Sequence, residues 1–501
     1  MVQLSEPFKW TLLLCTCSLS LAGPVQVPNL TLPPTAAGNQ TAVKNIFNQS
    51  YAAYSKFAFG HDSLLPVSAS FIDDRNGWGA TIVDAMGTMI LMGFDDLFIK
   101  SLEWVTNVDF TESKTAANVD LFETTIRYVG GMLSAYELTG KKYPILVQQS
   151  QTLVDKMAFA WSSPNQTIPY GMINFQDNST INQTNVAEAG TLNLEWSRLS
   201  LYTGNQTYTN LSMKNSIHIL LFVQLMKFFS CRCLIPQEID PSDNKFVDAF
   251  ITWGGGTDSY LEYLIKYARI SNTEGKLLNN DTIVNIGLEI ADSCWNTYAS
   301  TETGIGPETF QFIDNVLEFF NVPVEQESFY GEARFLDYWS VYVQLQTLTL
   351  SNTFPSYIIG SDYIQRPEVL ESNFYAWRAT GDTKYLDRAA SAVKVSKILG
   401  LNDVNNIAAG LQDVTESFWF AETLKVLSLP NFDEPGNISL DNYVFNTEGQ
   451  VFKAPPAKAV YGSGNIAVPA GTFTSKTVTG PVPAISPGPL LSFAPGPQLG
   501  V

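Results

Sequence analysis

Three short acidic motifs stand far apart in the chain: Leu121-Phe122-Glu123-Thr124-Thr125-Ile126-Arg127, Thr252-Trp253-Gly254-Gly255-Gly256-Thr257-Asp258-Ser259-Tyr260 and Gln365-Arg366-Pro367-Glu368-Val369-Leu370-Glu371-Ser372. Each sets a carboxylate beside aromatic or apolar residues where a helix starts or meets a loop. Carboxylates drawn from distant segments suit hydrolysis of a glycosidic bond, in which one acid protonates the leaving oxygen and another activates water. Only two histidines occur, His61 and His218. A His-rich zinc site or a Ser-His-Asp triad therefore has little to draw on, and acid-base work falls to carboxylates.

Each motif also has a plainer structural reading. Glu123 and Arg127 lie four apart on one helix face, the spacing of an ordinary salt bridge. Three glycines let the backbone pass close to a ligand, Trp253 offers a flat apolar face, and Asp258 is placed to cap the next helix. Gly304-Ile305-Gly306-Pro307-Glu308 and Arg366-Pro367-Glu368 put Pro just before an acid near a helix start, where the helix dipole favours a carboxylate in any case. Asp84, in Asn76-Gly77-Trp78-Gly79-Ala80-Thr81-Ile82-Val83-Asp84, has apolar neighbours and reads as a buried acid or a helix-surface one. Further acids among aromatics are Glu195 beside Trp196, Glu262 one turn after Asp258, and Glu416 ahead of Phe418-Trp419-Phe420.

The elements that must position these residues are helical. Apolar residues recur at helical spacing over Ala80–Trp104, Phe122–Leu138, Ala187–Tyr202, Ser259–Ala268, Val284–Tyr298, Leu370–Arg378, Tyr385–Leu399 and Glu416–Leu427, and no segment shows sustained strand alternation. Helices are predicted to end at Thr139-Gly140, Thr203-Gly204 and Thr380-Gly381, with Tyr143, Tyr208 or Tyr385 opening the next apolar run. A Gly just past a helix takes the left-handed conformation without a Cβ penalty. Three copies of this turn imply repeated antiparallel helix hairpins, hence an all-α solenoid or a closed α/α barrel.

The 501 residues are 45% hydrophobic and 15% charged, a balance that builds a large core. A formal charge of -19 argues against nucleic acid as a partner. Lys9 precedes an apolar run, Trp10 to Ala22, which ends in the small-residue site Ser20-Leu21-Ala22; residues 1–22 read as a secretory signal peptide, and the run is too short for a stable membrane span. Ten N-x-S/T sequons, at Asn29, Asn39, Asn48, Asn165, Asn178, Asn182, Asn205, Asn210, Asn280 and Asn437, agree with the secretory pathway, whether the protein is secreted or stays in the Golgi or ER lumen. Of the five cysteines, Cys15 and Cys17 leave with the signal, which strands an odd set of Cys231, Cys233 and Cys294. From about residue 454 the chain turns Pro- and Gly-rich and is predicted to be a disordered tail, so the α/α-barrel domain spans 23–453.

Taken together, the motifs resemble the class I α-mannosidases, glycoside hydrolase family 47, over roughly Phe57 to Phe452. The resemblance implies an (α/α)7 barrel that removes terminal α1,2-linked mannose from high-mannose N-glycans with inversion, as a monomer. It makes Glu123 the acid acting on the leaving oxygen, directly or through water, with Asp258 as the alternative donor, and Glu368 the base that activates water. Asp84, Arg127, Glu195, Glu262, Glu308, Glu371 and Glu416 match residues that line the sugar site. Asn446-Thr447-Glu448 resembles the family's calcium motif, in which Thr447 would offer hydroxyl and main-chain oxygens to Ca2+, with water supplying the rest.

The chain departs from the family in two places. The family carries a long segment after the helix at Tyr260–Tyr267, with a Cys that pairs with the one matching Cys294; here Ala268-Arg269-Ile270-Ser271-Asn272-Thr273 runs almost directly into Gly275-Lys276-Leu277-Leu278. An apolar stretch, Ile219 to Ile235, replaces a Pro- and Gly-rich loop, and Gln450 stands where the family usually has His. Three readings are open: a misjoined gene model of a complete enzyme, a catalytically impaired member that binds mannose glycans as a quality-control factor, or a barrel hydrolase with another sugar preference.

Overall fold

The computed structural model describes residues 25–162, 166–225, 237–247, 255–271, 309–312, 356–360, 362–395, 399–432 and 436–456. The signal segment 1–22, the helix expected at Val284–Tyr298, Trp253, Glu308, the three stranded cysteines and the tail beyond 456 lie outside the described residues.

Helices account for most of what is described. In chain order they are α1 (Ala36–Phe57), α2 (Ala80–Met92), α3 (Asp95–Asn107), α4 (Leu121–Glu123), a π-helical turn (Thr124–Val129), α5 (Gly130–Leu138), α6 (Ile145–Met157), α7 (Val186–Gly190), α8 (Asn193–Thr203), α9 (Thr207–Leu225), α10 (Asp258–Ser271), α11 (Glu368–Thr380), α12 (Lys384–Val395), a second π-helical turn (Trp419–Thr423) and α13 (Leu424–Phe432). Two kinds of helix alternate. Eleven of the thirteen residues of α2 are buried, Asp84 among them, whereas α3 buries only Phe98, Ser101 and Val105. A helix apolar on all sides belongs inside and an amphipathic one outside, so α2 with α3 and α5 with α6 form inner–outer hairpins. The approach of α2 to α5 is so close that a Cβ on Gly131 would sit 2.9 Å from the Val83 carbonyl oxygen. The first helix, α1, packs against the last, α13, as a closed ring of hairpins requires.

The expected turns form as the residue types dictate. Gly140, Gly204 and Gly381 have φ of +66°, +77° and +73°. In each copy the preceding Thr hydroxyl bonds the carbonyl four residues back, Thr139 to Ala135, Thr203 to Leu199 and Thr380 to Ala376. Tyr208 and Tyr385 are then buried where the chain returns.

Three expected helices are altered. The run Ala80–Trp104 breaks at Gly93, whose φ of +77° lets its N–H reach Ile90 O while the Phe94 N–H reaches Met89 O. Ala187–Tyr202 divides into α7 and α8 around Thr191-Leu192. Asp258 opens α10 as its first helical residue rather than as the cap before it. Strands are short and antiparallel, none of those described longer than the five residues Ser356–Gly360. Two of them matter to the site: Val119–Asp120 pairs with Met172–Ile173, and Tyr443–Phe445 pairs with Val451–Lys453.

Candidate active site

The hairpin Tyr443–Phe445/Val451–Lys453 ends in a turn, Asn446-Thr447-Glu448-Gly449-Gln450, that is buried throughout. A turn inside a core must have its polar groups met. Asn446 does much of this: its Oδ1 accepts from Glu448 N (2.9 Å) and Gln450 N (2.7 Å), and its Nδ2 donates to Ile126 O (3.0 Å) and Glu195 Oε1 (2.8 Å). Lys425 Nζ donates to Gly449 O at 2.6 Å. Burial pushes the Lys425 ammonium down to about 8, against the opposing pull of Glu422, Asp84 and Glu448.

Arg127, in the first π-helical turn, is the centre of this arrangement. Its Nε lies 2.6 Å from Glu123 Oε2, so the expected i,i+4 pair forms. Its Nη1 pairs with Glu448, lies 3.6 Å from Asp84 Oδ2 and donates to Ser417 Oγ at 3.2 Å. The Ser417 hydroxyl in turn donates to Asp84 Oδ2 at 2.5 Å. Single π-turns often mark functional positions because the extra residue re-aims a side chain, and both π-turns here supply this core. Burial pushes Asp84 and Glu448 up, while Arg127 draws both back. Burial also pushes Glu123 up, but Arg127 and Arg75 outweigh it and hold the carboxyl down at about 2. Arg75 Nη2 lies 3.7 Å from Glu123 Oε1. The open side of Glu123 faces a cavity of about 230 Å³, shared with Arg75, Asp120, Asp73, Asp74 and Tyr128.

Glu195 and Thr447 meet on the far side of the buried turn. Tyr263 OH donates to Glu195 Oε1 at 2.6 Å and lies 3.4 Å from Thr447 N. Burial pushes Glu195 up to about 7, with Tyr263 and Asn446 pulling the other way. Its Oε2 and the Gln450 Oε1 are buried oxygens without a hydrogen-bond partner. Hard buried oxygens in want of a donor, on residues joined to the turn that carries Thr447, are of the type an oxygen-seeking cation takes while keeping part of its water shell. No group of three or more His, Cys, Asp or Glu suited to a metal occurs among the described residues, so such an ion would not be caged by side chains alone.

The remaining expected residues stand on α10 and α11. Asp258 begins α10; Glu262 forms an i,i+4 ion pair with Lys266, whose Nζ is 4.0 Å from Glu371 Oε1 on α11. Glu368 is buried at the first position of α11, with Arg366 Nη1 3.6 Å from its Oε1. The strand-to-helix approach is fixed by Gln365, at φ +72°, whose Oε1 accepts from Glu416 N (3.3 Å) and whose carbonyl accepts from Thr423 Oγ1 (2.7 Å). Phe418 joins the two halves: the guanidinium carbons of Arg127 and Arg366 lie 5.8 Å and 6.0 Å from its ring centroid. Burial pushes Glu416 up, partly offset by Arg75 and Arg127.

The structure thus links Glu123, Asp84 and Glu448 through Arg127, Glu195 with Thr447 through Tyr263, Glu416 with Gln365 through its backbone N–H, and Glu262 with Glu371 through Lys266. Sequence reasoning passed over four participants. Glu448 and Asp62 were visible inside the runs Asn446-Thr447-Glu448 and Phe59-Gly60-His61-Asp62 but carried no role; Arg75 and Asp120 had no periodicity or motif of their own.

The helical hairpins and the buried carboxylates gathered among them are those of an α/α-type protein. The profile of glycosyl hydrolase family 47 matches residues 46–281 and 271–454. The mannosyl-oligosaccharide alpha-1,2-mannosidase 1B of Aspergillus phoenicis is 33% identical over 499 residues, covering 83% of this chain and 91% of its own. The mannosyl-oligosaccharide alpha-1,2-mannosidase of Penicillium citrinum is 32% identical and covers 83% and 92%. The solved alpha-1,2-mannosidase from Trichoderma reesei superimposes with a TM-score of 0.68 at 30% identity, over 84% of this chain and 99% of that one. The chain belongs to glycosyl hydrolase family 47. The two profile matches meet and overlap at residues 271–281.

Proposed function

We propose that this chain hydrolyses terminal α1,2-linked mannose from high-mannose N-glycans, with inversion and with bound calcium. The observation that carries the reading is the convergence of Glu123, Asp84 and Glu448 on Arg127 around a buried Asn-Thr-Glu turn. Glu368 is the base that takes a proton from the attacking water. Glu123 serves the leaving-group side, with Asp258 as the other candidate donor, and Asp84, Glu195, Glu262, Glu371 and Glu416 shape the sugar site. Glu308, outside the described residues, is assigned to the same wall by the family match alone. Inversion calls for the two working carboxyls to stand about 6.5–9.5 Å apart, leaving room for water. Calcium would be held by the Thr447 hydroxyl and main-chain oxygens with water, and would supply a point of attachment for sugar hydroxyls.

The protein is proposed to work as a monomer in the secretory pathway. No helix among the described residues is long and apolar enough to cross a membrane. Asn29, Asn48, Asn182, Asn205, Asn210 and Asn437 are exposed, as glycan acceptors must be. A second reading, an impaired member that binds mannose glycans, draws on the departure from the family's sequence after Tyr267.

Mass spectrometry of a high-mannose N-glycan incubated with purified protein, with calcium and with chelator, tests both. Calcium-dependent loss of hexoses supports the enzyme, and binding without loss by folded protein supports the impaired member. Glu368→Gln should abolish turnover while leaving folding intact; a fully active variant removes Glu368 from the base role.

A further inference from the structure

Asp120 is among the cavity acids that have no place in that scheme. Asp120 lines the same cavity of about 230 Å³ as Glu123. Its Oδ1 accepts the Glu123 backbone N–H at 2.9 Å, so it fixes the first turn of the helix that carries Glu123 and Arg127. The strand pairing of Val119–Asp120 with Met172–Ile173 holds Asp120 from behind. The two carboxyls are in opposite electrostatic positions. Glu123 is gripped by Arg127 and faced by Arg75, whereas Asp120 forms no ion pair among the described residues. A carboxylate gripped by two guanidiniums is a poor proton donor.

The geometry points to Asp120 as the proton store of this site: one oxygen positions the Glu123 helix, and the carboxyl feeds the proton that reaches the leaving oxygen through water ordered by Glu123. The inference rests on the mannoside-hydrolysing reading above. The cavity is large enough for several waters, each occupying about 30 Å³ in the liquid. As the bond between the anomeric carbon and the leaving oxygen breaks, the bonding pair goes to that oxygen, which takes a proton from a cavity water. That water takes one from Asp120, which becomes the carboxylate. The attacking water bonds the anomeric carbon and loses its proton to Glu368. One water is consumed, and solvent carries the proton from Glu368 back to Asp120. The groups bearing on Asp120 favour this cycle. Burial pushes its carboxyl up to about 8, and the Glu188 and Glu123 carboxylates push the same way, while the Glu123 backbone N–H and Arg75 oppose them. Asp73 and Asp74 line the same cavity, and Glu188 is itself pushed up by burial.

Asp120→Asn and Asp120→Ser both keep a capping oxygen and remove the proton. Turnover of a high-mannose oligosaccharide from pH 5 to 9, thermal midpoints, and infrared difference spectra of wild type against D120N test the assignment. The expected result is a kcat lower by about 100-fold in both variants, the low end of what a positioned acid supplies. KM and midpoint should stay near wild type, and the alkaline fall of kcat should be lost. The wild type should also show a protonated-carboxyl band near neutrality that D120N lacks. Wild-type kcat and pH profile in either folded variant, or a kcat loss that merely tracks a lowered midpoint, overturns the inference. So does the absence of the band, which is read without any turnover. A wild type that shows the band yet releases no mannose overturns the functional reading and leaves Asp120 as the protonated group.

Discussion

Asp62 offers a sharp test of how the site is held. It is fully buried, and its two oxygens accept four backbone amides: Arg75 N (2.8 Å) and Gly77 N (2.6 Å) at Oδ2, Gly79 N (2.9 Å) and Ala80 N (3.0 Å) at Oδ1. Tyr128 OH lies 3.0 Å from Oδ1. The turn so held has φ of +70°, +73° and +85° at Asn76, Gly77 and Gly79, a shape the chain does not keep without an anchor. Hydrogen bonds to a charged acceptor are worth about 1.5–3 kcal/mol each, and an orphaned buried donor costs about 1–3 kcal/mol. Asp62→Asn keeps one carbonyl oxygen and turns an NH2 toward at least two amides, a loss of about 3 kcal/mol. Asp62→Ala orphans all four, and partial relaxation with water entry still leaves a loss of about 4–6 kcal/mol. Against a domain stability of about 5–15 kcal/mol that is a large share. Urea unfolding measures it directly. Because Arg75 leaves this turn to face Glu123, mannose release by D62N should fall even at temperatures where the variant is folded. A D62N protein within about 0.5 kcal/mol of wild type, the scatter of ordinary surface changes, would refute the cradle.

Arg127→Met leaves Glu123, Glu448 and Asp84 in the interior without their shared cation, and should cost about 3–5 kcal/mol in urea unfolding; unchanged stability would mean that those acids are protonated and the network is not ionic. Chelation should stop mannose release and lower the thermal midpoint, since calcium at about 100 times its dissociation constant stabilises by about 2.7 kcal/mol. Thr447→Ala should abolish the midpoint difference, and a variant that keeps it displaces the ion from Thr447. For pH the signs of two groups oppose. Glu123, held at about 2, stabilises above its unfolded value of about 4.3 and loses that contribution as pH falls toward about 2. Asp120, raised to about 8, contributes fully below about 3.9 and loses its contribution as pH rises to about 8. Potentiometry of unfolding near pH 6 should therefore register release of a proton that D120N does not release.

The helices were legible because burial imposes a period, and the turns because Gly is the residue that tolerates positive φ beyond a helix end. The break at Gly93 was hidden because Met92 and Phe94 continue the apolar pattern across it. Motif and neighbourhood singled out Glu123, Asp84 and Glu368, and the fold places the first two at Arg127 and the third at the start of α11. Glu448 and Asp62 were not singled out, since their roles depend on partners more than 300 residues away in one case, Arg127, and on four main-chain amides in the other. Asp120 belongs to none of the motifs; the fold shows that it shares a cavity with Glu123 and bears on Glu188.

The junction near residue 271 bears on whether α10 can stand where the site needs it. The helix carries Asp258 and Glu262, and the family's long segment would come directly after it. Its anchors, however, lie elsewhere. Ser259 Oγ is 2.9 Å from Thr191 Oγ1, Tyr260 OH donates to Ser216 O at 3.0 Å, and a Cβ on Gly190 would sit 2.1 Å from the Tyr260 ring. Tyr263 reaches Glu195. At the C-terminal end Arg269 donates to Pro455 O (2.8 Å) and Asp441 O (2.5 Å). These bonds tie α10 to α7, α9 and the C-terminal hairpin, all of which lie outside the shortened segment. A helix held by a buried tyrosine at each of two successive turns, and at its end by an arginine that reaches two carbonyls near the C-terminal hairpin, has these anchors away from the stretch directly after Ser271.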